Sequence, residues 1–311
     1  MLQGDCTVAE YRKAMRFGSV RNRSLLLSCR MDGVHERLKE CSMKLTAQQI
    51  TFFETFGYLV FPGMVADDIS WINEGFDEIF AQVPEKHDGR RRTIAWTDSS
   101  ARLCTLLDHP AVLDVASGLM GADFNYLGGD ANYYVGDTGW HSDGWHDIGL
   151  YVKMAFYLDP VTRDTGCLRV IPGSHIIGSP WREKLCKVGD PVANLGVSGR
   201  EVPSVALESR PGDVVVFNHN LHHAAFGGSS QRRMFTLNLC KRAESPEELK
   251  ELRGFINSAA RFWVLQTHSE VMRRTASPER MRHLEQVIAN EDELPALVEI
   301  AKATMSEPAR G

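Results

Sequence analysis

Cysteine is sparse and unpaired in this 311-residue chain. Cys6, Cys29, Cys41, Cys104, Cys167, Cys186 and Cys240 are scattered, odd in number and free of any CxxC pair. That pattern excludes a disulfide framework and points to reduced thiols in a cytoplasmic protein. Long apolar runs are missing too. No stretch approaches the roughly 20 residues that span a bilayer, so no membrane partner is expected. Positive charge is not in excess: the formal net charge of −5 argues against a broad surface for nucleic acid. Nor is there an internal repeat, a low-complexity linker, or the basic, apolar and cleavage-site order of a secretory signal. What remains is a hydrophobic content of 43% and a charged content of 24%, ordinary for a soluble globular protein with a substantial core.

Residues 1–42 differ in character from the rest of the chain. Arg21 to Arg30 is basic around Leu25-Leu26-Leu27, and three of the seven cysteines lie in this segment. The expectation is an appendage, either disordered, artefactual or weakly organelle-targeting, against the alternative of a helix packed on the core. A fresh start comes at Met43. Thr46 with Gln49 forms a capping-box pattern ahead of Ile50, Phe53 and Phe56, and Gly57 stops that helix. Tyr58 to Phe61 reads as a strand. Asp67 and Asp68 precede a second apolar helical face from Ile69 to Phe80, Lys86 to Arg92 reads as a charged loop, and His109 to Met120 reads as a further helix.

From about residue 123 the pattern changes to short β-type runs punctuated by Gly, Pro, Asn or Asp. These are Phe124 to Leu127, Ala131 to Val135, Gly149 to Leu158, Cys167 to Ile171, Val205 to Leu207, Val214 to Phe217 and Met234 to Leu239. Many short strands with such turns predict a sandwich or jelly roll. Beyond Ser245 helical patterning returns. The expected organisation is a 43–245 β core with N-terminal helices and a helical extension over 246–311.

One stretch carries chemistry: Gly139-Trp-His-Ser-Asp-Gly-Trp-His-Asp147. On an extended strand, side chains at i and i+2 share a face, so His141 and Asp143 can converge on one point. Imidazole with carboxylate suits a divalent metal such as ferrous iron, given a third ligand from a distant strand. The candidate region is Arg210 to Ala224, a Pro-Gly-Asp turn, a buried strand and then His219, His222 and His223. Arg232 and Arg233 lie just beyond, and an arginine fork can clamp a carboxylate.

His141-x-Asp143, the run Gly166-Cys-Leu-Arg-Val-Ile-Pro-Gly-Ser-His175, Pro211-Gly212-Asp213 and the His223-to-Arg232 spacing together resemble the phytanoyl-CoA dioxygenase family over roughly Leu45 to Leu239. The resemblance implies a mainly β fold with flanking helices, a double-stranded β-helix of the jelly-roll, cupin-like kind. It implies Fe(II), with 2-oxoglutarate and O2 as cosubstrates and ascorbate in support. The implied reaction oxidises an unactivated C–H bond of a small organic substrate, releasing succinate and CO2. His141, Asp143 and His223 take the metal positions, and His222 points elsewhere.

Arg232 fits the 2-oxoglutarate anchor best, Arg233 being the alternative, because the interval from the distal histidine is shorter than is usual in the family. Asp143 implies hydroxylation, desaturation or cyclisation, since halogenases of the family leave this position without a carboxylate. Ala155 stands where many relatives carry Trp. Lys153, on the face of Tyr151 and Tyr157, is expected to meet the cosubstrate, an acidic substrate or a structural carboxylate. Asn132 and Tyr134 are weaker pocket candidates. The rivals are a metal-binding β-helix scaffold or sensor without oxygenase activity, and a cupin-type metalloenzyme that ignores 2-oxoglutarate.

Overall fold

The computed structural model describes residues 43–84 and 91–309. The expected 1–42 appendage and most of the Lys86 to Arg92 loop lie outside the described residues. The chain enters through α1 (Ala47–Phe56), where Thr46 Oγ1 accepts from the Gln49 N–H and Gln49 Oε1 accepts from the Thr46 N–H. Gly57 ends it at φ 83°, and a Cβ there would fall 2.5 Å from His175 Nδ1, so both conformation and space demand glycine. β1 (Tyr58–Phe61) and α2 (Ile69–Phe80) come next. Asp68 precedes α2 without capping it; its carboxylate accepts from Trp71 Nε1 and faces His109. Arg91–Ile94 forms β2 rather than a loop, paired with Asp130 to Tyr133. After α3 (Pro110–Met120) the β core begins.

Its strands are β3 (Asn125–Tyr126), β4 (Asp130–His141), β5 (Tyr151–Tyr157), β6 (Leu168–Val170), β7 (Val205–Leu207), β8 (Val214–Asn218) and β9 (His223–Cys240). They form one antiparallel sheet in the order β1-β8-β5-β9-β4-β2, with β3 and β6 also on β9 and β7 on β6. The sheet closes nearly into a barrel, a jelly roll with helices against it. β9 is far longer than its Met234 to Leu239 hydrophobic run. Its first residues pair with both β4 and β6, and its last with β5 and β3. Glycines permit this continuity. Gly228 opposes Gly136 at a shift in register, and a Cβ at Gly228 would lie 2.3 Å from the Gly136 carbonyl oxygen.

Alternation sorts the side chains. On β5, Val152, Met154 and Phe156 join the helix-facing core, whereas Lys153, Ala155 and Tyr157 face the barrel interior. On β9, Phe235, Leu237 and Leu239 face the helices, and Arg232, Met234 and Thr236 face inward. The outer face packs aromatics: Phe235 stacks on Phe156 with ring centroids 4.4 Å apart and meets Trp96 at 4.6 Å. Each such buried ring contributes about 2–3 kcal/mol. The C-terminal helices, including α4 (Pro246–Ser258) and α5 (Leu294–Thr304), join Leu127 and Tyr151 of the β core in one apolar cluster. No single described helix is long and apolar enough to cross a membrane.

His268, between those helices, is fully buried and stacks on Tyr126 at 5.4 Å. Burial, with help from Arg273, pushes its imidazole pKa from 6.5 down to about 3. Unfolded, the same residue takes up a proton near pH 6.5 that the folded state refuses. Stability therefore falls as pH drops from about 6.5 towards 3, by roughly 1.4 kcal/mol per pH unit for one such group. Urea unfolding at pH 7 and pH 5 should show the wild type losing about 2 kcal/mol more than His268→Phe, which keeps the ring and removes the titration.

Candidate metal centre and cosubstrate cavity

Three side chains converge at one end of the barrel. β4 ends at His141, directly opposite His223, the first residue of β9. The strand stops there, so Asp143 does not share a continuous strand with His141. A clasp brings it round instead: the Asp143 and Gly144 N–H groups donate to the His219 carbonyl at 2.9 and 3.2 Å. Asn220 holds the same loop by bonding both the N–H and the carbonyl of His146 at 2.8 Å. His141 Nε2 lies 3.9 Å from Asp143 Oδ1, and His223 Nε2 3.7 Å from Asp143 Oδ2. One ligand atom from each of the three falls within 4.8 Å of the others.

Hydrogen bonds orient these groups. His141 Nδ1 donates to the Gly139 carbonyl at 2.8 Å and His223 Nδ1 to that of Leu221 at 2.9 Å. That tautomer leaves each Nε2 lone pair aimed at the shared point. Burial pushes the His223 pKa down to about 4, so the imidazole is neutral at physiological pH, as a metal ligand must be. Burial alone would raise the pKa of Asp143. Lys153, then the surrounding histidines, overcome it and hold the carboxyl well below the usual range. Two imidazole Nε2 atoms and one carboxylate, with room beside them, fit a ferrous ion with open coordination positions.

The other histidines lie apart from this point. The His222 backbone N–H donates to Ser174 Oγ, and its ring packs against the edge of Trp145. His146 stacks on Tyr151 at 3.7 Å and holds Glu251 of α4 through Nδ1 at 2.8 Å. His175 meets the Glu54 carbonyl. His219 is buried beneath Asp143, its pKa pushed by burial to about 3. Trp140 is buried outside the site, donating Nε1–H to Gly199, and Trp145 is exposed over the Arg182 guanidinium.

Beside the triad is a cavity lined among others by Asn132, Tyr134, Lys153, Ala155 and Arg232. Arg232 is only 3% exposed. Its guanidinium lies 4.7 Å from the Tyr134 ring centre and donates Nη1–H to the Gly166 carbonyl, while Nε has no partner. No carboxylate among the described residues pairs with it. Gly166 adopts φ 93°, and a Cβ there would crowd Arg232 Nη1 at 2.8 Å, which explains a glycine at the head of the Gly166 to His175 run.

Arg233, one residue on, points to the opposite face. Its guanidinium forks onto Asp159 at 2.9 to 3.3 Å and reaches Asp77 at 3.1 Å. Arg233→Met should cost about 1 kcal/mol in urea unfolding, a partly exposed ion pair being screened.

Lys153 meets a carboxylate, with Nζ 2.9 Å from Asp143 Oδ2. Asn132 does not stand free in the cavity: its amide donates to Asp130 Oδ2 at 2.7 Å. Asp130 itself binds Arg92 at 3.0 Å and Thr236 Oγ1. Burial would raise its pKa, but Arg92 and Lys153 lower it. Asp130 and Thr236 line the pocket although neither was expected there. Thr236 was accessible from the alternation of Arg232, Met234 and Thr236; Asp130 had no signal, because the turn Gly128-Gly129-Asp130 reads as a loop.

The same architecture recurs among known proteins. The family model described as Phytanoyl-CoA dioxygenase (PhyH) matches residues 53–235, more than half of the chain. No curated protein matches the chain. Similar solved structures include the non-heme alpha ketoglutarate dependent carbocyclase SnoK from nogalamycin biosynthesis. It has a TM-score of 0.51 and 19% identity, with 63% of this chain and 84% of that chain covered. HygX from Streptomyces hygroscopicus, solved with nickel and 2-oxoglutarate bound, has a TM-score of 0.51 and 18% identity over 64% of this chain and 88% of that one. EctD from S. alaskensis, solved with bound Fe, has a TM-score of 0.51 and 24% identity over 65% and 80%. At these identities the likeness establishes a shared fold.

Proposed function

The chain belongs to the phytanoyl-CoA dioxygenase family, and from that premise we propose that it is an Fe(II)- and 2-oxoglutarate-dependent dioxygenase hydroxylating a small organic substrate. The observation that carries this reading is a juxtaposition. Two imidazole Nε2 atoms and a carboxylate meet within 4.8 Å at the wall of a cavity that also holds a buried arginine with an unpartnered Nε. A buried guanidinium without a counter-ion is costly unless a ligand supplies one. A dicarboxylate reaching from the metal to Arg232 does so.

His141, Asp143 and His223 would hold the iron. Bound with 2-oxoglutarate and O2, it supplies oxidation of an unactivated C–H bond, with succinate and CO2 as co-products. The chain's own residues do the rest. The Gly139 and Leu221 carbonyls fix the imidazole tautomers. Arg232, held by Gly166 and flanked by Tyr134, receives the remote carboxylate of 2-oxoglutarate as a bidentate fork. The buried barrel wall keeps water from competing at that ion pair. Asp143 favours oxygen transfer over halogenation, because its carboxylate takes the position a halide needs. Ala155, Ala224 and Ala225 line the cavity where larger side chains would fill it, leaving volume for a small molecule.

The test is succinate release by the full chain with Fe(II), ascorbate, O2 and 2-oxoglutarate, alongside calorimetric binding of 2-oxoglutarate to the Mn(II)-loaded protein. Binding with slow uncoupled succinate formation, accelerated by the true substrate, is expected. A protein that binds metal but no 2-oxoglutarate is a scaffold or a cupin-type metalloenzyme instead.

A further inference from the structure

We propose that Lys153 is a positioning residue for the metal carboxylate: its ammonium holds one oxygen of Asp143 so that only the other is presented to iron. The inference rests on the iron reading above and concerns how the site is tuned. Lys153 lies on β5, on the inward face with Ala155 and Tyr157, opposite Phe217 of β8 and Asn238 of β9. No turn or loop brings it there; strand alternation does. Its Nζ is 2.9 Å from Asp143 Oδ2, and the two side chains are 16% and 17% exposed. Oδ1, 3.9 Å from His141 Nε2, has no lysine on it, whereas Oδ2 meets Lys153 Nζ as well as lying 3.7 Å from His223 Nε2.

A ferrous site that takes a chelating 2-oxo acid and O2 needs three free coordination positions, so the carboxylate must ligate through one oxygen. A carboxylate free to rotate can chelate through both and close one of those positions. An ammonium on Oδ2 prevents that rotation. It also supplies Asp143 with a counter-charge before any metal arrives, since an uncompensated buried carboxylate is costly. Asp130, the other acid that lowers the cost of burying this lysine, is already held by Arg92, Asn132 and Thr236. Lys153 is therefore left to Asp143.

Removing the ammonium has a defined direction. The metal-free site loses its counter-charge, the metal no longer faces a nearby positive charge, and Oδ2 is released to it. The full chain is stripped with a chelator, titrated with Mn(II) by calorimetry, and then titrated with 2-oxoglutarate. Lys153→Met should bind Mn(II) at least about tenfold tighter than wild type, with a larger rise in Tm on metal addition. Its Mn(II) form should bind 2-oxoglutarate more weakly, one position having been taken. Lys153→Gln retains an N–H donor to Oδ2 without the charge. It should also bind Mn(II) tighter yet keep 2-oxoglutarate affinity within about threefold of wild type, and it stands in if the methionine variant does not fold.

Mn(II) affinity in both variants equal to or below wild type overturns the proposal. If that result comes with weakened 2-oxoglutarate binding, Lys153 is a cosubstrate ligand and the iron reading stands. Failure of the wild type itself to bind Mn(II) overturns both.

Discussion

His223→Ala should abolish Fe(II)-dependent succinate formation and weaken Mn(II) binding by more than about 100-fold, beyond what loss of a supporting partner costs. His222→Ala should leave metal affinity within about threefold. The two imidazoles are adjacent in sequence and both are buried, so burial does not separate them. Direction does. His223 Nδ1 is bonded to Leu221 and its Nε2 faces Asp143, whereas the His222 ring leans against Trp145 on the other side of the strand. The pair of variants is internally controlled. Each deletes one imidazole from the same turn, and a general loss of folding would depress both, which circular dichroism and thermal unfolding would reveal. Loss of metal binding in His222→Ala with retention in His223→Ala would move the centre to the other face.

The second large effect is at Arg232. Arg232→Met should raise the 2-oxoglutarate Kd of the Mn(II)-loaded protein by about 100-fold, the equivalent of roughly 3 kcal/mol for truncating one member of a buried charge pair. Metal affinity without cosubstrate should be unchanged, because no triad atom bonds Arg232. Discrimination should narrow as well. Wild type should prefer 2-oxoglutarate strongly over a 2-oxo monoacid that lacks the remote carboxylate, and the variant should bind the two almost equally. An unaltered preference would mean that the remote carboxylate lies elsewhere, with Lys153 the nearest other cation in the cavity.

These two residues show where local sequence carries information and where it stops. The capping box at Thr46, the Gly57 stop and the β1 run were legible because each depends on neighbours a few residues apart. The strand containing Arg232 was legible only over its hydrophobic half. Residues 227–231 are polar or glycine, so β9 looked broken there although it runs unbroken from His223 to Cys240. Arg91 and Arg92 likewise read as a solvated loop, yet Arg92 bonds buried Asp130 from a strand. In each case a partner from another part of the chain made the polar residue tolerable in a sheet.

By itself the sequence determined which chemistry was on offer. Histidine and aspartate two apart, a second histidine cluster after a buried strand, and an arginine pair beyond it are a complete donor set for a metal and an anion. Alternation also placed Arg232 and Arg233 on opposite faces. What alternation cannot say is which face is inward, since a shift of one residue in register exchanges the two. The tertiary structure decided that. Pairing of Tyr134 with Arg232 and of His141 with His223 set the register of β4 on β9. It turned Arg232 into the cavity and sent Arg233 to Asp159. The same long-range contacts brought Asp143 round through the His219 carbonyl and seated Lys153 on its second oxygen. Such contacts join residues far apart along the chain, and their energies come from burial and pairing that no short window of sequence contains.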